Sequence, residues 1–159
     1  IGNVHFLILN TQRWSSGTRT SSDEIESDID AAIERGMKFL IVLQHVALKG
    51  HVKTSSKYYY VKITDWEDIY KGKKVELIIS GHAHNYQRFP KNTEGNIYLT
   101  VGTGGAEFTG LQSTSGLSKY FKNKHGYLMI ENIGQVSLNI RFLDKTGIEQ
   151  DSFTVTSNR

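Results

Sequence analysis

The chain has 159 residues, a length that fits one domain with one buried core. Hydrophobic residues make up 38% and charged residues 22%, which excludes a long disordered tail, a collagen-like repeat and a coiled coil. Net charge is +3, too small to argue for a nucleic-acid partner, and the absence of Cys removes disulfides, thiolate metal sites and a cysteine nucleophile.

Ile1 stands where an initiator Met would, and Val4 to Leu9 follows at once as an apolar run that reads as a buried strand. The expectation is a chain that is a piece of something longer. A polar loop, Thr11 to Thr20, leads to Ser21-Ser22-Asp23-Glu24, which fits a capping box. Ile25, Ile29, Ala32 and Ile33 then repeat at helical spacing, and Gly36 supplies a left-handed stop. Lys38 to Leu43 is a continuous apolar strand ending at Gln44-His45. Strand, helix and strand in this order form a crossover unit, which predicts parallel pairing.

Thr64-Asp65-Trp66-Glu67 starts a short helix, Val75 to Ile79 is a third strand ending at Ser80-Gly81-His82-Ala83-His84, and Ile97 to Val101 is a fourth. The glycine-bearing segment Gly102 to Gly116 lacks apolar periodicity and reads as a mobile loop over a cleft. From Gly126 the period changes. Tyr127 to Ile133, Val136 to Leu143 and Ser152 to Val155 read as antiparallel strands with turns at Gly134-Gln135 and Lys145-Thr146-Gly147. The expected fold class is α/β (α+β), a mixed sheet running into an antiparallel meander. No apolar run approaches the roughly 18 residues that a helix needs to cross a bilayer.

Charge is unevenly placed. Acids crowd between Asp23 and Glu34, while Lys49, Lys53, Lys57, Lys62, Lys71, Lys73 and Lys74 fill the middle. Solvated faces and a positive funnel toward an anionic substrate both fit this pattern.

Three of the six His residues, His45, His82 and His84, fall directly after apolar strands. Ligands of open α/β sheets bind beyond the carboxyl ends of strands, and neutral imidazole is the commonest metal ligand. In a tight loop the two rings of His82-Ala83-His84 can splay toward two different ions. The three histidines are therefore expected to converge at one sheet edge as metal ligands.

Gly81-His82-Ala83-His84-Asn85-Tyr86-Gln87-Arg88 resembles the Gly-His-x-His signature of calcineurin-like metallophosphoesterases, and Tyr86 and Arg88 resemble its purple acid phosphatase branch. Phe39 to His45 resembles that family's strand with a ligating His at its end, and Tyr98 to Ala106 its later strand and glycine loop. The resemblance runs from about Val4 to about Val155. It implies the C-terminal half of a four-layer αββα sandwich, with residues 1–159 as a single domain whose partner is the N-terminal half of the same catalytic domain. It also implies a dinuclear centre of two divalent or trivalent ions of Fe, Zn or Mn type, acting on a phosphoester substrate. His45 and His82 would share one ion and His84 would serve the other. His51 is a candidate for catalytic substrate contact, and Tyr86 and Arg88 for substrate binding, beside packing and ion pairing.

The family's Asp-x-His, Gly-Asp-x-x-Tyr and Gly-Asn-His motifs are absent from this sequence, so it carries half of such a site. His125 and Tyr58-Tyr59-Tyr60 read as structural. A non-catalytic module of the same fold within a larger protein or assembly is the rival expectation, and a simple surface metal-binding domain a third. Localisation is open.

Overall fold

The computed structural model of this chain describes residues 2–11, 20–49, 64–110, 115–121, 124–132 and 134–159. His51 and the Tyr58–Tyr60 run lie outside the described residues.

Strand β1 (Val4–Leu9) leads to helix α1 (Ser22–Glu34), whose start is fixed by its own sequence. The Glu24 N–H donates to Ser21 Oγ at 3.2 Å while Ser21 N–H donates to Glu24 Oε2 at 2.8 Å, so two amides that the helix leaves unpaired are satisfied reciprocally. The helix ends where Gly36 takes φ 77°, with the Gly36 N–H on Ile33 O and the Met37 N–H on Ala32 O, the paired bonds of a Schellman stop. Strand β2 (Phe39–Gln44), helix α2 (Thr64–Gly72) and strand β3 (Leu77–Ser80) follow, then β4 (Tyr86–Arg88), β5 (Ile97–Val101) and β6 (Lys119–Phe121). Strands β7 (Gly126–Asn132), β8 (Ser137–Asp144) and β9 (Glu149–Thr156) close the order.

The first six strands form one sheet in the order β1-β2-β3-β5-β4-β6, and the last three form an antiparallel sheet. Strands β1, β2, β3 and β5 pair in parallel, as the crossover reading predicts, and β4 and β6 run antiparallel to them. The sequence pattern does not announce β4 and β6. Each has three residues, too few for an alternating pattern to register.

Side chains alternate across the sheet, so one strand serves two cores. Leu40 and Val42 join Ile25, Ile29, Ala32, Trp66 and Tyr70 from the helices. Phe39 and Ile41 face the other way and pack with Leu77 and Leu99 against Leu138, Ile140, Phe142 and Val155 of the antiparallel sheet. Helices, mixed sheet and antiparallel sheet thus make three layers. The outer helical layer of a four-layer sandwich is not among the described residues.

Parallel register brings the carboxyl ends of β2, β3 and β5 to one edge, with Gln44 opposite Ser80 and Ser80 opposite Thr100. His45, the 81–85 loop and the segment from Gly102 all leave the sheet there.

Candidate metal site

His45 follows β2 directly, and Gly81 follows β3, its register neighbour. The Gly81 N–H donates to His45 O at 3.0 Å, extending the ladder one bond past the strands. The chain then turns sharply. Ala83 N–H donates to Gly81 O and Asn85 N–H to Ala83 O, each at 2.7 Å, two successive three-residue turns. His82 sits at the centre of the first with φ 63°, a left-handed conformation uncommon outside glycine that gathers at ligand-holding sites.

The turn aims His82 at His45. His45 Nε2 and His82 Nδ1 stand 3.1 Å apart, with the ring planes crossed at 68°. Two imidazole nitrogens bound to a common cation at 2.0–2.1 Å are separated by about 2.9 Å at a right angle and about 3.4 Å at the tetrahedral angle. The observed separation falls inside that interval, and it is also that of a hydrogen bond between the two rings. His45 is exposed and His82 half-buried, so the pair is open to solvent.

His84 is held differently. Its Nδ1 lies 2.7 Å from Glu107 O, so Nε2 is the ring nitrogen outside that bond. A ring nitrogen on a backbone carbonyl is the usual way that a ligating histidine is oriented. His84 N–H donates to Thr109 Oγ1 at 2.7 Å, Thr109 N–H donates to His84 O at 3.0 Å, and Asn85 Nδ2 donates to Thr109 O at 3.0 Å. Gly102 N–H also donates to Asn85 O at 3.0 Å. Residues 102–110, read from sequence as the start of a mobile loop, are thus bonded at several points to the His82–Asn85 turn. Gly102 is required here, because a Cβ on it would stand 1.9 Å from Ala83 O.

Among the described residues, no group of three His, Asp or Glu side chains gathers around one point. The structure brings His45 and His82 together, and His84 does not join them. Two imidazoles alone make a poor cage; a tightly held ion also needs carboxylate or amide oxygen.

Tyr86 and Arg88 point into the seam between the sheets. Tyr86 is fully buried, and its hydroxyl donates to Asp151 Oδ2 at 2.8 Å. Arg88 Nε donates to the same oxygen at 2.7 Å and Nη2 to Oδ1 at 3.1 Å. Burial, then the bond to Asp151, pushes the Tyr86 phenol up; burial works against the Arg88 charge, yet the Asp151 carboxylate leaves its pKa raised. This geometry favours the packing and ion-pairing role over substrate contact. His125 sits with Nδ1 3.2 Å from Thr103 O and stacks on Phe108 at 4.3 Å. His5 Nε2 pairs with Asp28 at 2.6 Å, tying β1 to α1.

Sequence reasoning missed Glu107, Thr109 and Asp151. The first two act through backbone and hydroxyl groups that carry no motif. Asp151 left a legible signal: a carboxylate on the inward stripe that Phe153 and Val155 continue.

A mixed sheet with helices on one face and an antiparallel sheet on the other is the metallophosphoesterase fold of the solved structures this chain matches, and in sequence the chain is similar to a purple-acid-phosphatase-like protein. It is 26% identical over 187 residues to "Probable inactive purple acid phosphatase 1" of Arabidopsis thaliana, covering 99% of this chain and 29% of that protein. Among solved structures, it matches the purple acid phosphatase PPD1 from yellow lupin (Lupinus luteus) seeds at TM-score 0.79 and 22% identity, over 97% of this chain and 31% of that one. A dimetal phosphatase from Danio rerio matches at TM-score 0.57 and 10% identity, over 90% of this chain and 40% of that one. At these identities the two structures establish the fold alone. The chain therefore spans under a third of the curated relative and of the lupin enzyme. No protein-family profile matches the chain.

Proposed function

We propose that this chain carries the histidine half of a dinuclear metal centre that hydrolyses phosphoesters. The observation that supports the reading is the 3.1 Å approach of His45 Nε2 to His82 Nδ1, a separation that two nitrogens on one cation would also have. In it, His45 and His82 hold one ion, and His84, oriented by Glu107 O, offers Nε2 to a second. Two ions of Fe, Zn or Mn type would clamp a phosphoester and lower the pKa of a bound water. The chain's own part is to fix the imidazoles. The left-handed turn at His82 aims one ring across the sheet edge, and the 102–110 segment fixes the next.

A bridging carboxylate, which such a centre requires to hold two cations close together, comes in this reading from an N-terminal half of the same catalytic domain. That half would also cover Ile8, which is 77% exposed on the outermost strand β1. The second reading, a non-catalytic module of the same fold, is favoured by the word "inactive" in the name of the Arabidopsis relative.

Turnover separates the two. The 159-residue chain alone is expected to bind divalent metal weakly and to hydrolyse p-nitrophenyl phosphate at background rate, whereas a protein extended upstream should turn it over. In that protein His45→Ala and His82→Ala should preferentially deplete the same metal, and His84→Ala the other, by elemental analysis. A metal-loaded extended protein without turnover supports the module; metal content indifferent to all three substitutions refutes the site.

A further inference from the structure

We infer that Asp151, on the last strand of the chain, is a positioning residue for the histidine loop: the side-chain bridge from β9 to β4 fixes where His82 and His84 stand. The inference rests on the metal-site reading above and deepens it. Strand β4 begins two residues after His84 and is three residues long, and its outer neighbour β6 has only three as well. Backbone pairing holds it over three residues to β5 on one side and three to β6 on the other. Both of its inward side chains also reach the other sheet, where Tyr86 Oη and Arg88 Nε meet on Asp151 Oδ2 and Arg88 Nη2 takes Oδ1. The Tyr86 ring stacks on Phe142 at 4.3 Å, and the Arg88 guanidinium lies 4.8 Å over Phe153, so the bridge is clamped laterally.

The loop has little slack to absorb a shift of β4. Five residues, 81–85, join β3 to β4; the first is bonded to His45 O, and the second already holds a left-handed backbone. Any displacement of Tyr86 must pass into the turn that carries both histidines. Asp151 is 7% exposed and stands among apolar contacts that would join the two sheets without it, namely Leu138, Ile140, Phe142 and Val155. A buried ion pair is weak evidence for stability compared with an apolar replacement. Its geometry, two ends of one short strand on one carboxylate, matches placement better.

The test compares Asp151→Asn and Tyr86→Phe with Glu76→Gln in the intact protein. Glu76 is a second buried carboxylate, at the opposite end of the sheet, bonded to Leu40 N–H and Arg159. Hydrogen exchange of residues 81–88 is read without metal, and Co²⁺ binding is read from its absorption bands. The two bridge variants should exchange about tenfold faster across 81–88, as expected for one lost charge-assisted hydrogen bond, with β2 unchanged. They should also bind Co²⁺ about tenfold more weakly. Glu76→Gln should lower the melting temperature while leaving both readouts at the parent value. Bridge variants that are destabilised like Glu76→Gln but exchange at the parent rate would overturn the inference, and Tyr86→Phe keeps it decidable should Asp151→Asn not fold. A parent protein that binds no Co²⁺ counts against the metal reading alone, since the exchange readout needs no metal.

Discussion

Among single side chains, Glu76 shows most clearly how a buried charge is tolerated. It has no exposure, and its oxygens accept from Leu40 N–H at 2.8 Å, Asn158 N–H at 2.9 Å and Arg159 Nη1 at 2.7 and 3.0 Å. The carboxylate thus ties the chain terminus to the amino ends of β2 and β3. Removing it strands a guanidinium and two amides. Glu76→Ala should cost about 3–5 kcal/mol in urea denaturation, whereas breaking the solvent-screened pair of Arg141 and Glu149 should barely move the midpoint. Equal losses for the two would show that burial is not what makes the Glu76 cluster matter. His82 is the converse case: its left-handed φ of 63° is held by the turn around it rather than by its own preference.

At the scale of elements, those built from consecutive residues are legible in the sequence. The capping box at Ser21 and the stop at Gly36 are written locally, and both form as read. Ser21→Ala should lower stability by about 1 kcal/mol through the lost cap, visible in the chemical denaturation midpoint. Strand existence and parallel pairing are legible too, because β1, β2, β3 and β5 are continuous apolar runs. Strands β4 and β6 are not, since three residues carry no period. The histidine pair is half legible. A strand-end His is visible in sequence, but the meeting of His45 with His82 depends on the Gln44–Ser80 register and on the left-handed turn, neither of which a local pattern encodes. The anchoring of His84 by Glu107 O and Thr109 is a loop-to-loop match with no sequence period at all. Gly102 makes that match possible. Gly102→Ala places a methyl 1.9 Å from Ala83 O, and it should destabilise the protein by about 2–4 kcal/mol and speed hydrogen exchange at 83–85. Exchange at the parent rate there would mean the two segments move independently.

For the whole molecule, the titrating groups set a stability window in pH. Glu24 is held below its ordinary 4.5 by the Ser21 amide first, Asp144 below its ordinary 3.8 by the Thr146 hydroxyl, and Glu149 below 4.5 by Arg141. With lowered native values, the unfolded chain binds more protons, so their contribution is present above pH ~4.5 and fades as pH falls further. Tyr70, Tyr86 and Tyr98 are raised above 10.0, chiefly by burial, so their contribution is intact below pH ~10 and is lost as pH rises beyond it. The urea midpoint should therefore fall as pH drops below about 4.5 and again as it rises above about 10. A midpoint that rises on acidification would contradict these assignments. Layering explains why the site belongs to the whole rather than to one element: β2 and β3 supply the histidines, and the antiparallel sheet braces the strand that follows them. Anomalous diffraction at the metal edge, from crystals of the intact protein grown with zinc or iron, would locate any ion that His45 and His82 share. One peak is expected about 2.0–2.1 Å from both His45 Nε2 and His82 Nδ1, lost in His82→Ala. A metal-loaded protein whose peaks lie away from both nitrogens would contradict that expectation.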